Sequence, residues 1–295
     1  MEFIELLKAL LIGIVEGITE WLPISSTGHM IIVDDFVTLN VSPEFWNLFL
    51  VVIQLGAIMA VIILFFHRLN PFSPRKTPIE KRSTLRLWAK VAVGCIPAAI
   101  IGILLDDWFE EHFFNPITVA LALVVYGIAF IIIERVKKPI VQGAHSREDA
   151  RSVDKIKSVD QLGFIQALGV GLFQCLAIVP GTSRSGSTIL GGRILGIARE
   201  AAAEFSFFLA IPVMFGWSLL KVIKTFVLDS IVLTATEWAV FVVGIVVAFA
   251  VSIFAIRFLM NFIKKHSFEV FGWYRIALGI VVLIFCFVTG DLVFG

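Results

Sequence analysis

The sequence predicts an all-α integral membrane protein with an inverted-topology repeat, each half consisting of one re-entrant helical hairpin plus three transmembrane helices. Three observations predict it: long apolar runs, an asymmetric charge pattern in the loops between them, and two polar motifs inside otherwise apolar stretches. Of the 295 residues, 59% are hydrophobic and 16% charged, whereas a soluble domain carries about one quarter charged residues. The charges fall in short clusters between the apolar runs, as membrane spans require. The net charge is +1, and no basic arm or aromatic-interleaved basic stripe appears, so a nucleic-acid partner is not expected. Cys95, Cys175 and Cys286 lie far apart inside apolar stretches, without metal-ligand spacing, and read as small hydrophobes. At the amino end, Glu2 and Glu5 precede Lys8, which is not the pattern of a cleavable signal.

Six runs qualify as spans: Trp46 to Phe66, Val91 to Leu105 (extending back through Leu87), Ile117 to Ile133, Phe205 to Leu220, Ala239 to Ile256 and Ile276 to Val288. The segment His67 to Lys90 holds seven Lys/Arg and one acid, and Glu134 to Leu162 holds seven Lys/Arg and five acids. The short segment Asp106 to Pro116 holds four acids and no Lys/Arg. The positive-inside rule places the two basic segments in the cytoplasm and the acidic one outside. Lys221 and Lys224 then fall on the outer side, a mild conflict that nearby Asp229 and Glu237 soften.

Two further apolar stretches, Leu6 to Leu22 and Gly163 to Leu195, cannot cross without spoiling this pattern, so both are expected to dip into the membrane and return. They also resemble each other. An offset of 158 residues superposes Gly13 on Gly171, Glu16 on Gln174, Ser25 on Ser183, Thr27 on Ser185 and Gly28 on Gly186. One hairpin and three spans per half make the halves inverted, which places a polar site near the midplane where broken helices meet. The expected organisation is a single membrane domain: residues 1–136 as the first repeat, 137–161 as an exposed cytoplasmic linker and 162–295 as the second repeat.

The chemistry is expected on the hairpin turns. Glu16 and Glu20 are four apart, so they share a helix face. Each ionised carboxylate costs about 2.5–3.5 kcal/mol inside a bilayer. The pair must therefore face a polar cavity, hold a cation or share a proton. A surface helix would leave them in water, but the flanking run is apolar all round. The turn Pro23-Ile-Ser-Ser-Thr-Gly-His29 gathers the hydroxyls of Ser25, Ser26 and Thr27 with the His29 imidazole near Glu20. That suits a hydroxyl nucleophile beside a base, or a phosphate pocket with an acid for the leaving group; the plainer alternative is a helix cap. The second turn, Pro180-Gly-Thr-Ser-Arg-Ser-Gly-Ser-Thr188, is a hydroxyl- and glycine-rich loop opening onto a helix. Backbone N–H groups there favour anions, and Arg184 adds a planar fork suited to phosphate. No Gly-Lys-Ser/Thr closes it, so it is not a Walker loop. Ser183, Ser185 and Thr188 are its candidate ligands. Gln54 lies mid-span and Glu204 begins one; either serves the site or is hydrogen-bonded packing.

The run from Glu16 to His29 resembles the first signature of the bacitracin-resistance type of undecaprenyl-diphosphate phosphatase, and Pro180 to Thr188 resembles its second. Val52-Ile-Gln-Leu-Gly-Ala57, Asn115-Pro116, Ala203-Glu-Phe-Ser-Phe207 and Tyr274-Arg275 extend the likeness over nearly the whole chain. The resemblance implies hydrolysis of a polyprenyl diphosphate lipid, undecaprenyl diphosphate, to the monophosphate carrier, recycling it for cell-wall synthesis and conferring bacitracin resistance. It implies a divalent cation (Mg2+ or Ca2+), a site facing outward from the bacterial plasma membrane, contact with membrane lipids, and a homodimer. Carried over by position, Glu16 and Glu20 are the acidic pair and metal ligands. Glu20, Ser26, His29 and Arg184 are the catalytic set, and Ser25, Thr27, Ser183, Ser185, Thr188 and Gln54 bind substrate.

Two rival readings stand beside this one. Phosphatases with Ser-Gly-His followed by Ser-Arg-x5-His are mimicked by Thr27-Gly28-His29 and Ser183-Arg184, but Leu190 occupies the place of the second histidine. A lipid transporter would share the inverted repeat and broken helices. The orientation is testable by itself: single cysteines introduced between Asp106 and Pro116 are expected to react with an impermeant thiol reagent on intact cells, and those between Arg68 and Lys90 are not. The reverse pattern would invert the assigned topology.

Overall fold

Six helices are long and apolar enough to cross a bilayer in the computed structural model, which describes residues 2–137, 154–228 and 231–289. They are α3 (Pro43–Leu64), α5 (Pro78–Phe113), α6 (Pro116–Val136), α9 (Arg199–Ile223), α10 (Ala235–Ile263) and α11 (Glu269–Thr289). The four-residue α4 (Phe66–Leu69) follows α3. Two helix–turn–helix units accompany them, and among the described residues there is no strand: α1 (Glu2–Thr19) with α2 (Ser26–Phe36), and α7 (Phe164–Cys175) with α8 (Arg184–Ile194). Each predicted span lies within one of the six long helices, except that Phe65 and Phe66 fall beyond α3. The all-α membrane architecture is therefore as expected.

Local sequence sets the helix starts. Ser42 caps α3 by accepting from Phe45 N, with Pro43 in the first turn, and Asn115 caps α6 by accepting from Thr118 N, ahead of Pro116. Thr234 and Glu237 form a reciprocal capping box on α10. These pairings satisfy N–H groups that a helix start otherwise leaves without partners. The acidic segment expected as a loop is instead mostly the last turns of α5, which continues to Phe113. No glycine or proline follows Gly102 to stop the helix before Pro116.

Polar contacts define two opposite faces. On one, Lys8 Nζ donates to Thr38 O at 2.7 Å and Asn40 N donates to Glu5 Oε2 at 2.9 Å. The start of α1 and the end of α2 are thus held together, beside the α10 start, where Thr236 Oγ1 reaches Glu2 at 3.2 Å. On the other face, Arg68 pairs with Glu204 at 2.6 Å and with Asp160 at 3.0 Å. Glu134, fully buried, takes Arg193 at 2.8 Å and Arg199 at 2.5 Å. Arg193 also reaches Asp154 at 2.6 Å, so the entry to α7 and the exit from α8 share that face. Each helix pair therefore leaves by the face it entered, and the two enter from opposite faces. Helix α3 runs from the first face to the second, and its counterpart α9 runs back.

The linker expected over 137–161 divides in two. Residues 138–153 lie outside the described residues. Residues 154–161 keep Lys155, Lys157, Asp160 and Gln161 exposed but are docked on the helices: Val159 is buried, Ile156 bridges Ile197, and Lys90 Nζ donates to Asp160 O at 3.1 Å. The apolar Ile156 and Val159 and the carbonyls offered to Lys90 account for this docking.

Each hairpin packs chiefly against the other half: α1 on α10, and α7 on α5. Small residues make the approach close, as membrane helix packing favours. A Cβ on Gly13 would lie 2.9 Å from Gly244 O, and one on Gly171 would collide with the Gly94 carbonyl. Where α6 crosses α11, Gly127 and Gly272 are reciprocal, each with its notional Cβ 2.7 Å from the other's carbonyl oxygen. Overpacking of this kind typically costs about 1–3 kcal/mol. Gly171→Ala is therefore expected to lower the thermal unfolding midpoint of the detergent-solubilised chain by several degrees. An unchanged midpoint would show that the α5–α7 seam yields.

Candidate active site

The two turns expected to carry chemistry are built alike. Ser25 and Ser183 have φ of 74° and 70°, and are the only non-glycine residues with positive φ among those described. Each caps the helix that follows it: Ser25 Oγ accepts from Gly28 N at 3.4 Å and Ser183 Oγ from Gly186 N at 3.1 Å. Such backbone strain costs about 1–3 kcal/mol and persists only where surroundings enforce it. The same device 158 residues apart reproduces the offset read from the sequence.

Arg275, at the start of α11, supplies the enforcement. It is fully buried. Nη1 donates to Pro23 O at 3.2 Å, while Nη2 donates to Gly181 O at 2.8 Å and Thr182 O at 2.9 Å. One guanidinium thus joins the tips of both hairpins, with its carbon 5.4 Å from the centre of the Tyr126 ring. Ser185 adds a second tie, donating to Glu20 O at 3.0 Å and Leu22 O at 3.4 Å.

Between the joined tips lies a chain of three groups. Ser26 Oγ donates to Glu20 Oε2 at 3.3 Å, and Arg184 Nη2 donates to Glu20 Oε1 at 2.8 Å. Arg184 Nη1 is held by Ser206 O at 2.9 Å, and its guanidinium carbon lies 5.6 Å from the buried Trp21 ring centre. Its buried Nε has no partner. A hydroxyl on a carboxylate, with that carboxylate oriented by a cation, is the geometry of an activated nucleophile. The three groups open on a cavity of about 440 Å³, whose walls come mainly from α5, α9 and the end of α7.

Thr27, Gln54 and Ser183 line this cavity beside Glu20, Ser26 and Arg184. Other candidate residues hold the framework. Ser25 is fully buried as a cap. Thr188 is also fully buried, donating to Arg184 O at 2.9 Å and sharing a 2.6 Å bond with Ser206 Oγ. His29 turns from Ser26: Nδ1 meets Ser25 O at 2.6 Å, so that nitrogen carries the proton, and Nε2 accepts from Tyr274 OH at 2.7 Å. Glu16 is buried one turn before Glu20, with Oε1 unpartnered. Glu204 is committed to Arg68. Arg275 and Ser206 stand in the sequence only within the segments that carry the family likeness, and Gln174 only as the repeat partner of Glu16, so none was expected at the site. Their contacts depend on partners far off in the chain: Arg275 on Pro23 and Gly181, and Ser206 on Arg184.

The donor set suits a hard divalent cation. Glu16, which is not itself in the cavity lining, offers a buried orphan oxygen one turn before Glu20, and Gln54 and Gln174 line the cavity beside Glu20. Among the described residues no three His, Cys, Asp or Glu side chains cluster as a complete site. Substrate oxygens and water would supply the remaining ligands, as is usual for Mg2+.

Fold and site together define a polytopic helical membrane protein with an arginine-anchored polar centre on two broken helices. Residues 9–281 match the sequence model of the family described as Bacitracin resistance protein BacA, and the chain belongs to that family. It is 54% identical over 293 residues to an undecaprenyl-diphosphatase of Streptococcus thermophilus, covering 99% of this chain and 96% of that protein. An undecaprenyl-diphosphatase of Enterococcus faecalis is 52% identical over 283 residues, covering 96% of this chain and 98% of its own. Undecaprenyl-diphosphatase 1 of Clostridioides difficile is 53% identical over 285 residues, covering 96% and 97% respectively.

Replacing Arg275 by Met leaves three buried carbonyls without their donor. Each costs about 1–3 kcal/mol, so the variant is expected to lose both thermal stability and activity in detergent. A stable but inactive variant would show that Arg275 acts at the site rather than on the hairpin tips.

Proposed function

We propose that the chain hydrolyses undecaprenyl diphosphate to undecaprenyl phosphate and inorganic phosphate. The observation that carries this is the Ser26–Glu20–Arg184 chain at the wall of a mostly apolar cavity. It is supported by relatives of over 50% identity that bear the name undecaprenyl-diphosphatase. A diphosphate concentrates negative charge, and its cleavage needs positioned donors more than elaborate covalent chemistry. The prenyl chain stays in an apolar setting while the head group meets Arg184.

In this reading the terminal phosphate takes the free Nε–H of Arg184 and competes with Glu20 for Nη2. Glu20, released from the arginine, accepts the Ser26 proton as Oγ attacks the terminal phosphorus. The bond from that phosphorus to the bridging oxygen breaks, and the lipid monophosphate leaves. Glu20 gives up that proton to solvent. Water then attacks the phosphoserine, Glu20 takes the water proton and returns it to Ser26 Oγ as the P–Oγ bond breaks, and inorganic phosphate leaves. His29 is too committed to Ser25 and Tyr274 to serve as base, and instead steadies the start of α2. A Mg2+ or Ca2+ ion held by Glu16 and Glu20 would neutralise charge on the phosphates.

The wider assignment follows the family. The activity would recycle the carrier lipid of cell-wall synthesis and protect against bacitracin. The halves 1–136 and 162–295 are read as an inverted repeat, a reading supported by the antiparallel courses of α3 and α9 and by the matched strain at Ser25 and Ser183. Positive-inside charge directs the cavity outward, because its lining on α5 and α9 lies toward the acidic end of α5. A homodimer in the bacterial plasma membrane completes the expectation.

Phosphate release by purified protein in detergent, where transport has no meaning, separates a phosphatase from a lipid carrier. Wild type is expected to release phosphate, and Arg184→Lys to be badly impaired because it keeps charge but loses the fork. Ser26→Ala should fall by several orders of magnitude; retention of about a tenth of the activity would rule out the covalent route. Glu16→Gln is expected to raise the cation concentration needed for half activity, and an unaltered requirement would remove Glu16 from the metal site.

A further inference from the structure

The described glycines fall into two groups. Those within the crossing helices mostly sit at close contacts, where a Cβ would meet a neighbouring backbone or side chain: Gly56 and Gly244 between α3 and α10, Gly94 between α5 and its neighbours, Gly127 and Gly272 between α6 and α11. Gly102 on α5 and Gly216 on α9 are different, for a Cβ on either meets nothing within 4 Å. Gly196 shares that openness, but its φ of 84° explains it as a turn residue. Helix packing does not call for glycine at 102 or 216, and glycine weakens a helix. What both residues provide is empty space, and both line the same cavity.

The two helices touch at one end and part at the other. Near the Arg68–Glu204 face they are in contact, since a Cβ on Gly94 would lie 2.7 Å from Leu209 Cδ2 and Cys95 Sγ meets Leu209 O at 3.9 Å. Beyond that contact each helix has an interior proline, Pro97 on α5 and Pro212 on α9, the residue that most often bends a helix. Gly102 and Gly216 follow within five residues. Further along, Ile103 is 76% exposed and Leu220 55% exposed on the membrane-facing surface. The cavity is not an inert void. Gln174 on its wall is only 3% exposed, yet neither amide atom has a hydrogen-bond partner, a cost that a bound polar head group would remove.

We infer that the gap between α5 and α9, over Gly102 and Gly216, is the portal through which the isoprenoid chain of the substrate passes from the lipid to the polar centre, with Gln174 hydrogen-bonding the diphosphate inside. This rests on the phosphatase reading for its ligand, but the portal itself can be tested apart from turnover. An apolar chain in an apolar slot needs width rather than partners. Glycine at both walls gives that width without a side chain to order.

The experiment compares two substrates on the purified full-length chain in detergent: a long polyprenyl diphosphate, and isopentenyl diphosphate, whose single unit need not reach the slot. The double variant Gly102→Leu/Gly216→Leu is expected to lower the ratio of kcat/KM for the long substrate over the short one by about ten-fold or more, mainly through KM. An unchanged ratio overturns the portal, whether both activities fall or both persist. Independently of turnover, a polyprenyl diphosphate bearing a diazirine on its second isoprene unit is photolysed with wild type. Labelling within residues 98–105 and 213–220 supports the portal, and labelling confined to other helices overturns it, even if the leucine variant does not accumulate. Should wild type take the label there yet release no phosphate, the portal stands and the phosphatase reading fails.

Discussion

The arrangement depends on one guanidinium. Arg275 sits in the membrane-spanning body with no carboxylate partner among the described residues, so its charge is balanced by three carbonyl dipoles and the face of Tyr126. Those carbonyls belong to the two turns where helices break, which are the backbone groups least able to find partners at membrane depth. A lysine could not serve both tips at once, because its donors radiate from a single point whereas the arginine fork spreads two nitrogens in one plane. With the tips fixed, the left-handed backbone at Ser25 and Ser183 becomes affordable, and each serine can turn its hydroxyl to the helix start behind it.

From that anchoring follows the division of labour among the polar residues. Glu20 offers one oxygen to Arg184 and the other to Ser26, so its orientation is determined from two sides. Arg184 is itself set by Ser206, which Thr188 holds from below. The second turn therefore contributes a cation already aimed at the first turn, and the site is complete only when both hairpins are in place. On the face bearing Glu134, Arg193 and Arg199, buried pairing fixes position more than it adds stability.

Much of this was legible in the sequence, and for identifiable reasons. Apolar runs bounded by Ser42-Pro43 or Asn115-Pro116 state both length and starting point, so the six crossing helices could be placed closely. The 158-residue offset was visible because the turns need the same small and hydroxyl residues at the same steps. Ser26, Glu20 and Arg184 could be nominated because polar groups in an apolar stretch require a purpose. What could not be read depended on partners distant in the chain. His29 looked available to Ser26, but Tyr274, 245 residues away, takes its free nitrogen. Arg275 stood in the sequence only as part of the Tyr274-Arg275 likeness, and its role rests on partners at Pro23 and Gly181. The stretch 154–161 looked like linker by composition, and its docking on Lys90 and Ile197 is a tertiary event that composition does not encode.

The exchange of hairpins between halves bears on how such a chain is made. Helix α1 leaves the ribosome before every other described helix, yet its packing surface is α10, more than two hundred residues later in synthesis. Until α10 is made, α1 lacks its main packing partner, and for most of that interval Glu16 and Glu20 also lack Arg184, so the hairpin must wait beside the translocation machinery or at the lipid surface. Neither half can mature as an independent unit, since each lacks the helix on which its own hairpin rests. Assembly is thereby deferred to a late, concerted docking, and a chain interrupted between the halves could regain its structure only by association of both pieces.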